Sequence, residues 1–184
     1  MIYLIEGSDL VGKSTFITNL AKELKSPKIV KPSRPQSLVN PEYWDIVERN
    51  EMLFYEAISQ SEYNLILDRI VWFSDPAYAP VFRNKKPDWE LLARGFAINP
   101  KVIVAYLQCN YDVKVKRGRE EEKYELTEDI DRKITDGYNG VIKKFISFGG
   151  YMCRVNTTYS SLECYKPAKD FLRFAKNVWG VCNE

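Results

Sequence analysis

Within the first sixteen residues, MIYLIEGSDLVGKSTF, a short apolar run meets a glycine turn, a lysine and two hydroxyls. GSDLVGKST fits the pattern GxxxxGK[ST], which works only where a strand precedes it and a helix follows. The physics is that of an anion cradle. Successive backbone N–H groups surround a phosphate, the helix start adds its dipole, and the lysine neutralises charge between phosphoryl groups. In this reading Gly7 and Gly12 make the turn, Lys13 bridges the terminal phosphates, Ser14 holds a magnesium ion, and Thr15 helps fix the inner phosphate. The chain around the loop must then supply a strand over Ile2–Ile5 and a helix from Lys13 to Leu24.

The rest of the sequence alternates in the same way. Short apolar runs at Ile29–Val30, Leu65–Leu67, Val102–Leu107 and Met152–Val155 predict further strands of a buried parallel sheet. Helical spacing predicts helices at Glu42–Ser61, Asp88–Phe96, Val113–Arg117, Glu128–Phe148 and Ser161–Val178. Strands alternating with helices predict an α/β fold, a five-stranded parallel sheet with helices on both faces. Pro27, Pro41, Pro87 and Pro100 stand where helices should stop or start. No repeat or linker divides the chain, so residues 1–184 are expected to form one domain.

Composition narrows the function. The 27 basic and 25 acidic residues leave a net charge of +2, which argues against general nucleic-acid or membrane binding. The absence of histidine removes histidine catalysis and the common zinc sites. Cys109, Cys153, Cys164 and Cys182 form no CxxC pair, and no basic leader or long apolar run is present, which predicts a reduced, cytoplasmic protein.

Two further stretches bear on chemistry. In LILDRIVWFSDPAYAP, Asp68 stands at the C-terminal end of a predicted strand, where open α/β sheets bind ligands, and its carboxylate can hold the waters around a magnesium ion. A hydrolytic ATPase often has a second acid next; here the residue is Arg69, which suits bidentate binding of an acceptor phosphate. The polar, glycine-broken run KVKRGREEEKYE suits a lid over about residues 117–126. Its Arg117 and Arg119 would stabilise charge on the transferring phosphoryl group upon closure. The same run also reads as a solvated helix face.

Taken in order, IEGSDLVGKST, LFYEA, LDRxxxxSDPAYA, VIVAYL and VKVKRGREEEKYE resemble the thymidylate kinases, within the nucleoside monophosphate kinases of the P-loop superfamily. The resemblance implies a P-loop kinase fold, ATP and Mg2+ as cofactors, nucleotide substrates, a role in nucleotide biosynthesis and a homodimer. It implies that Asp9 accepts a bond from the 3′-hydroxyl of the acceptor sugar. Arg69 would hold the acceptor phosphate, with Lys31 or Arg34 beside it, and Phe54 would stack on the base. Ser74 and Tyr78 would line the acceptor site, Tyr78 where a ribose 2′-hydroxyl would collide. Arg117 and Arg119 match the arginines of family members that carry them in the lid. The chain departs from the family at two base-contacting positions, now Ile58 and Ala79, so a different or modified pyrimidine stays open. The expected reaction is transfer of the γ-phosphoryl of Mg–ATP to the 5′-phosphate of a pyrimidine deoxynucleotide resembling dTMP. A related kinase acting on a hydroxyl of a nucleoside, or of a modified pyrimidine in DNA, is the alternative, with Glu6 or Asp9 as general base. A regulator that binds nucleotide without transfer is the third.

Overall fold

The first strand, β1 (Ile2–Glu6), is buried along its whole length because it has a neighbour on each side. Alternate residues serve two different cores. Ile2 and Leu4 join Leu67, Trp72, Phe73, Tyr138 and Phe145 on one face; Tyr3 and Ile5 join Phe16, Leu20 and Phe171 on the other. This two-sided burial is why IYLI reads as a continuous apolar run. The structure is a computed structural model describing residues 1–31, 64–84, 86–87, 89–118, 126–158 and 165–182.

Five strands form one parallel sheet: β1, β2 (Lys28–Val30), β3 (Leu65–Asp68), β4 (Val102–Gln108) and β5 (Tyr151–Asn156). Their spatial order is β2-β3-β1-β4-β5. The register pairs Ile5 with Asp68 and Glu6 with Tyr106. The C-terminal ends of the three central strands thus lie level, and the glycine-rich loop leaves β1 from that edge.

Helix α1 (Lys13–Glu23) and the C-terminal α6 (Tyr165–Cys182) pack on one face of the sheet. On the other lie α2 (Val71–Phe82), α3 (Glu90–Ala97) and α5 (Glu128–Ser147). The short α4 (Tyr111–Arg117) follows β4. Helix α5 begins at a good cap: the Thr127 side chain accepts from the Ile130 N–H, and three acids occupy the first turn. No helix among the described residues is long and apolar enough to cross a membrane.

The five strands lie where the apolar runs predict them, and five expected helices are present with ends shifted by one to four residues. Helix 42–61 lies outside the described residues. The sequence predicted no helix after Asp68, yet α2 is there with Pro76 and Pro80 inside it. Each proline removes a helical hydrogen bond, so local propensity argues against this element. Burial of Val71, Trp72, Phe73, Ala77 and Ala79 outweighs the loss. Close packing also helps. A Cβ on Gly137 of α5 would stand 2.6 Å from the Ala77 Cα, so α2 and α5 meet at two small residues. Their contact sets Tyr78 and Tyr138 side by side, rings 6.2 Å apart, beneath the loop.

Candidate active site

Only glycine fits position 7. Its φ is +142°, and a Cβ would stand 2.5 Å from the Leu107 carbonyl oxygen of β4. Gly12, at φ +85°, opens α1 without a side-chain cap, so the orphan N–H groups of the first turn remain for a ligand at the loop. Ser14 and Thr15 lie exposed in that turn.

Side-chain donors occupy the loop's carbonyls. The Gly7 oxygen accepts from Lys13 Nζ at 2.9 Å, Arg69 Nη2 at 2.8 Å and the Tyr138 hydroxyl at 3.2 Å. The Ser8 oxygen accepts from Lys13 Nζ at 2.6 Å, the Leu10 oxygen from Arg117 Nη1 at 3.2 Å, and the Val11 oxygen from the Thr157 hydroxyl. Carbonyls engaged in this way repel an anion less. Lys13 is buried, and desolvation, reinforced by the charge on Arg69, pushes its amine down to about 7. A polyphosphate would supply the negative charge this buried amine lacks.

Asp68 ends β3 at 4% exposure. Its Oδ2 meets Lys31 Nζ at 3.3 Å, while its buried Oδ1 has no hydrogen-bond partner among the described residues. An orphaned carboxylate oxygen is costly unless a cation or its waters meet it. This oxygen suits a water of a hydrated magnesium ion, which takes few protein ligands; Ser14, the other ligand expected from the sequence, lies exposed in the first turn of α1.

Arg69 turns the chain at φ +70°, an uncommon backbone for a non-glycine residue. Its own N–H bonds to the Ile5 carbonyl, and the next N–H, of Ile70, donates to Glu6 Oε1 at 2.7 Å. The guanidinium so placed donates to Asp9 Oδ1 at 3.0 Å and to the Tyr78 hydroxyl at 3.3 Å. That hydroxyl donates in turn to Asp9 Oδ2 at 3.1 Å. Burial pushes the Tyr78 phenol well up, so it keeps the proton it donates. Glu6 is wholly buried and bonded to Ile70 and Tyr138. It holds the turn after β3 and is shut off from any substrate hydroxyl, which leaves Asp9 as the accessible carboxylate of the two.

The structure therefore brings Gly7, Asp9, Gly12, Lys13, Arg69, Tyr78 and Arg117 around one loop, with Asp68 and Lys31 paired beside it. Lys31 spends its charge on Asp68 rather than standing free. Ser74 is buried and donates its hydroxyl to the Ile70 carbonyl of its own helix at 3.1 Å. Arg117 already rests on the loop at the end of α4, also donating to the Thr157 carbonyl at 2.6 Å. Arg34, Phe54, Ile58 and Arg119 lie outside the described residues.

Sequence reasoning missed a buried group behind the loop. Lys114 Nζ donates to the Ser8 hydroxyl at 2.9 Å and to Asp131 Oδ1 at 2.6 Å. In the sequence Lys114 is one of several cations in a charged run. Its i,i+3 spacing from Arg117 was the available signal, since that spacing puts both on one face of a short helix.

Several solved structures are similar. YorR from Bacillus subtilis, in complex with phosphorylated GDP, has a TM-score of 0.68 at 25% identity, over 96% of this chain and 98% of that one. Thymidylate kinase from Candida albicans has a TM-score of 0.68 at 18% identity, over 96% and 92%. Deoxyadenosine kinase from M. mycoides, with products dCMP and dCDP bound, has a TM-score of 0.61 at 19% identity, over 94% and 99%. No family model and no curated protein matches the sequence. The fold is that of the P-loop kinases, and a thymidylate kinase is among its structural neighbours.

Proposed function

We propose that this P-loop kinase fold carries a deoxynucleoside monophosphate kinase that moves the γ-phosphoryl of Mg–ATP to the 5′-phosphate of a pyrimidine deoxynucleotide. One observation carries the reading: Lys13 Nζ and Arg69 Nη2 both donate to the Gly7 carbonyl. Two cations are thus held within two hydrogen-bond lengths of each other, one for the donor phosphates and one for the acceptor. That is what in-line transfer between two anions requires. An acceptor phosphate needs no deprotonation, which agrees with a site where Asp9, the accessible carboxylate at the loop among the described residues, is engaged by Arg69 and Tyr78.

In this reading the loop N–H groups and Lys13 bind the polyphosphate, and Arg69 fixes the acceptor phosphate. Asp9 and Tyr78 brace Arg69, and Arg117 neutralises charge from the donor side. Ser14 and the free oxygen of Asp68 would hold the magnesium ion, which when bound withdraws charge from the donor phosphates. The whole chain would act as one kinase domain, with Arg119 in a lid over about residues 117–126. YorR, thymidylate kinase and deoxyadenosine kinase all being nucleotide-binding structures supports a nucleotide substrate.

The test is transfer of γ-labelled phosphate from Mg–ATP to a panel of deoxynucleoside monophosphates, nucleosides and DNA carrying modified pyrimidines. The reading expects label in a pyrimidine deoxynucleoside diphosphate, lost in Lys13→Ala and Arg69→Ala. Label confined to nucleosides or DNA would replace it with a hydroxyl kinase using Asp9 as base. No transfer to any acceptor would replace it with a nucleotide-binding regulator.

A further inference from the structure

The buried pair behind the loop does more than the proposed mechanism uses. Lys114 and Asp131 are 3% and 8% exposed, and Asp131 stands in the first turn of α5. A buried ion pair contributes little net stability over apolar residues of the same volume, so stability alone is a poor reason for one here. Nor does packing demand it. The pair borders a cavity of about 290 Å3 lined also by Ser8, Tyr106, Tyr111 and Thr135.

The contacts point forward, into the loop. Lys114 donates to the Ser8 hydroxyl, and the carbonyl of that same Ser8 receives Lys13 Nζ. One helical turn on, Arg117 of α4 donates to the Leu10 carbonyl. Helix α4 therefore grips the loop on both sides of Asp9, at Ser8 and at Leu10, and Asp131 fixes the Lys114 end of that grip to α5. Leu10 stands at φ +62°, a backbone that persists only when neighbours over-determine it.

We infer that Lys114, braced by Asp131, is a positioning residue that holds the phosphate loop through the Ser8 hydroxyl and so places Lys13 for the donor phosphates. The inference deepens the kinase reading and rests on it for its kinetic readout. It acts through Ser8 and Lys13 and touches no substrate.

Ser8→Ala removes the acceptor of the Lys114 bond and leaves the ion pair intact. Loss of a hydrogen bond to a charged donor is expected to lower kcat/KM for ATP about tenfold, with KM for the acceptor within about twofold. Ser8→Thr, which keeps the hydroxyl, is expected to restore ATP kinetics to within about threefold of the parent. Lys114→Met alone strands a buried carboxylate and is expected to unfold readily, so it is paired with Asp131→Leu. The double variant is expected to melt close to the parent yet lose as much in ATP kcat/KM as Ser8→Ala, and adding Ser8→Ala to it should cost nothing more. Additive losses, or parental ATP kinetics in Ser8→Ala, would overturn the inference.

Amide hydrogen exchange over Gly7–Gly12, in the protein without nucleotide, separates this from failure of the kinase reading. Exchange there is expected to quicken about tenfold in Ser8→Ala and in the double variant, whether or not the parent transfers phosphate. Unchanged loop exchange in both would overturn the positioning role by itself.

Discussion

Replacing Asp9 with alanine separates two roles for one carboxylate. Its Oδ1 accepts from Arg69 Nη2 at 3.0 Å and its Oδ2 from the Tyr78 hydroxyl at 3.1 Å, so in the structure it braces the arginine. The Arg69 side chain is 17% exposed and that of Asp9 39%, which places the pair between a surface and a buried one. A charged hydrogen bond in such a setting is worth about 1.5 kcal/mol, the low end of the buried range after screening. Acceptor kcat/KM should therefore fall about tenfold, since about 1.4 kcal/mol is one decade. If Asp9 also accepts from the acceptor's 3′-hydroxyl, a second contribution of similar size takes the total to about a hundredfold. Steady-state kinetics with a deoxynucleotide and its 3′-deoxy analogue tell these apart. In the first case Asp9→Ala slows both acceptors equally; in the second it erases the parent's preference for the hydroxyl. KM for ATP should stay within about twofold, because no donor contact is removed. Unchanged kinetics with both acceptors, or a KM for ATP that rises as much as that for the acceptor, would rule out both roles.

Other consequences are equally direct. Gly7→Ala forces a Cβ to 2.5 Å from the Leu107 carbonyl at a φ of +142°, and should cost about 3 kcal/mol, read as a melting temperature about 6–12 °C lower. Gly140→Ala in α5 meets nothing within 4 Å and should raise stability by about 0.5–1 kcal/mol in the same melts. Lys13, pushed down to about 7, is neutral in the free protein above that pH, and a bound polyphosphate restores its charge. Calorimetry in buffers of different ionisation enthalpy should find about one proton taken up with ATP at pH 8.5 and almost none at pH 6, with uptake absent in Lys13→Met. The linkage carries a sign for folding too. With the folded value below a lysine's ordinary 10.5, the unfolded chain holds more protons between about 7 and 10.5, so Lys13 lowers stability fully below 7 and progressively less above it.

What could be read from the sequence follows from how local each signal is. The glycine-rich loop is set by residues adjacent in the chain: Gly7 and Gly12 turn it at positive φ, and Lys13 folds back onto the Gly7 and Ser8 carbonyls. The strands are equally legible, since two-sided burial leaves unbroken apolar runs such as VIVAYL. Helix α2 was not, because Pro76 and Pro80 argue locally against a helix that is stabilised by tertiary burial and by the Gly137–Ala77 approach. The Asp9–Arg69–Tyr78 network was half legible. Its members could be named, but that Asp9 faces Arg69 follows only once β1 and β3 pair in register. Lys114 and Asp131 were illegible for the same reason: 17 residues apart in a charged stretch, they become a buried pair only when α4 meets α5.

In the proposed reaction a phosphate, rather than water or a hydroxyl, receives the γ-phosphoryl group. Phosphorus-31 NMR of the protein with Mg–ATP and a pyrimidine deoxynucleoside monophosphate reads the acceptor atom directly. The monophosphate resonance should give way to a pair of coupled diphosphate doublets from the new nucleotide, at wild-type rate only while Lys13 and Arg69 are present. Inorganic phosphate as the sole product, or an untouched monophosphate resonance beside intact ATP, would contradict it.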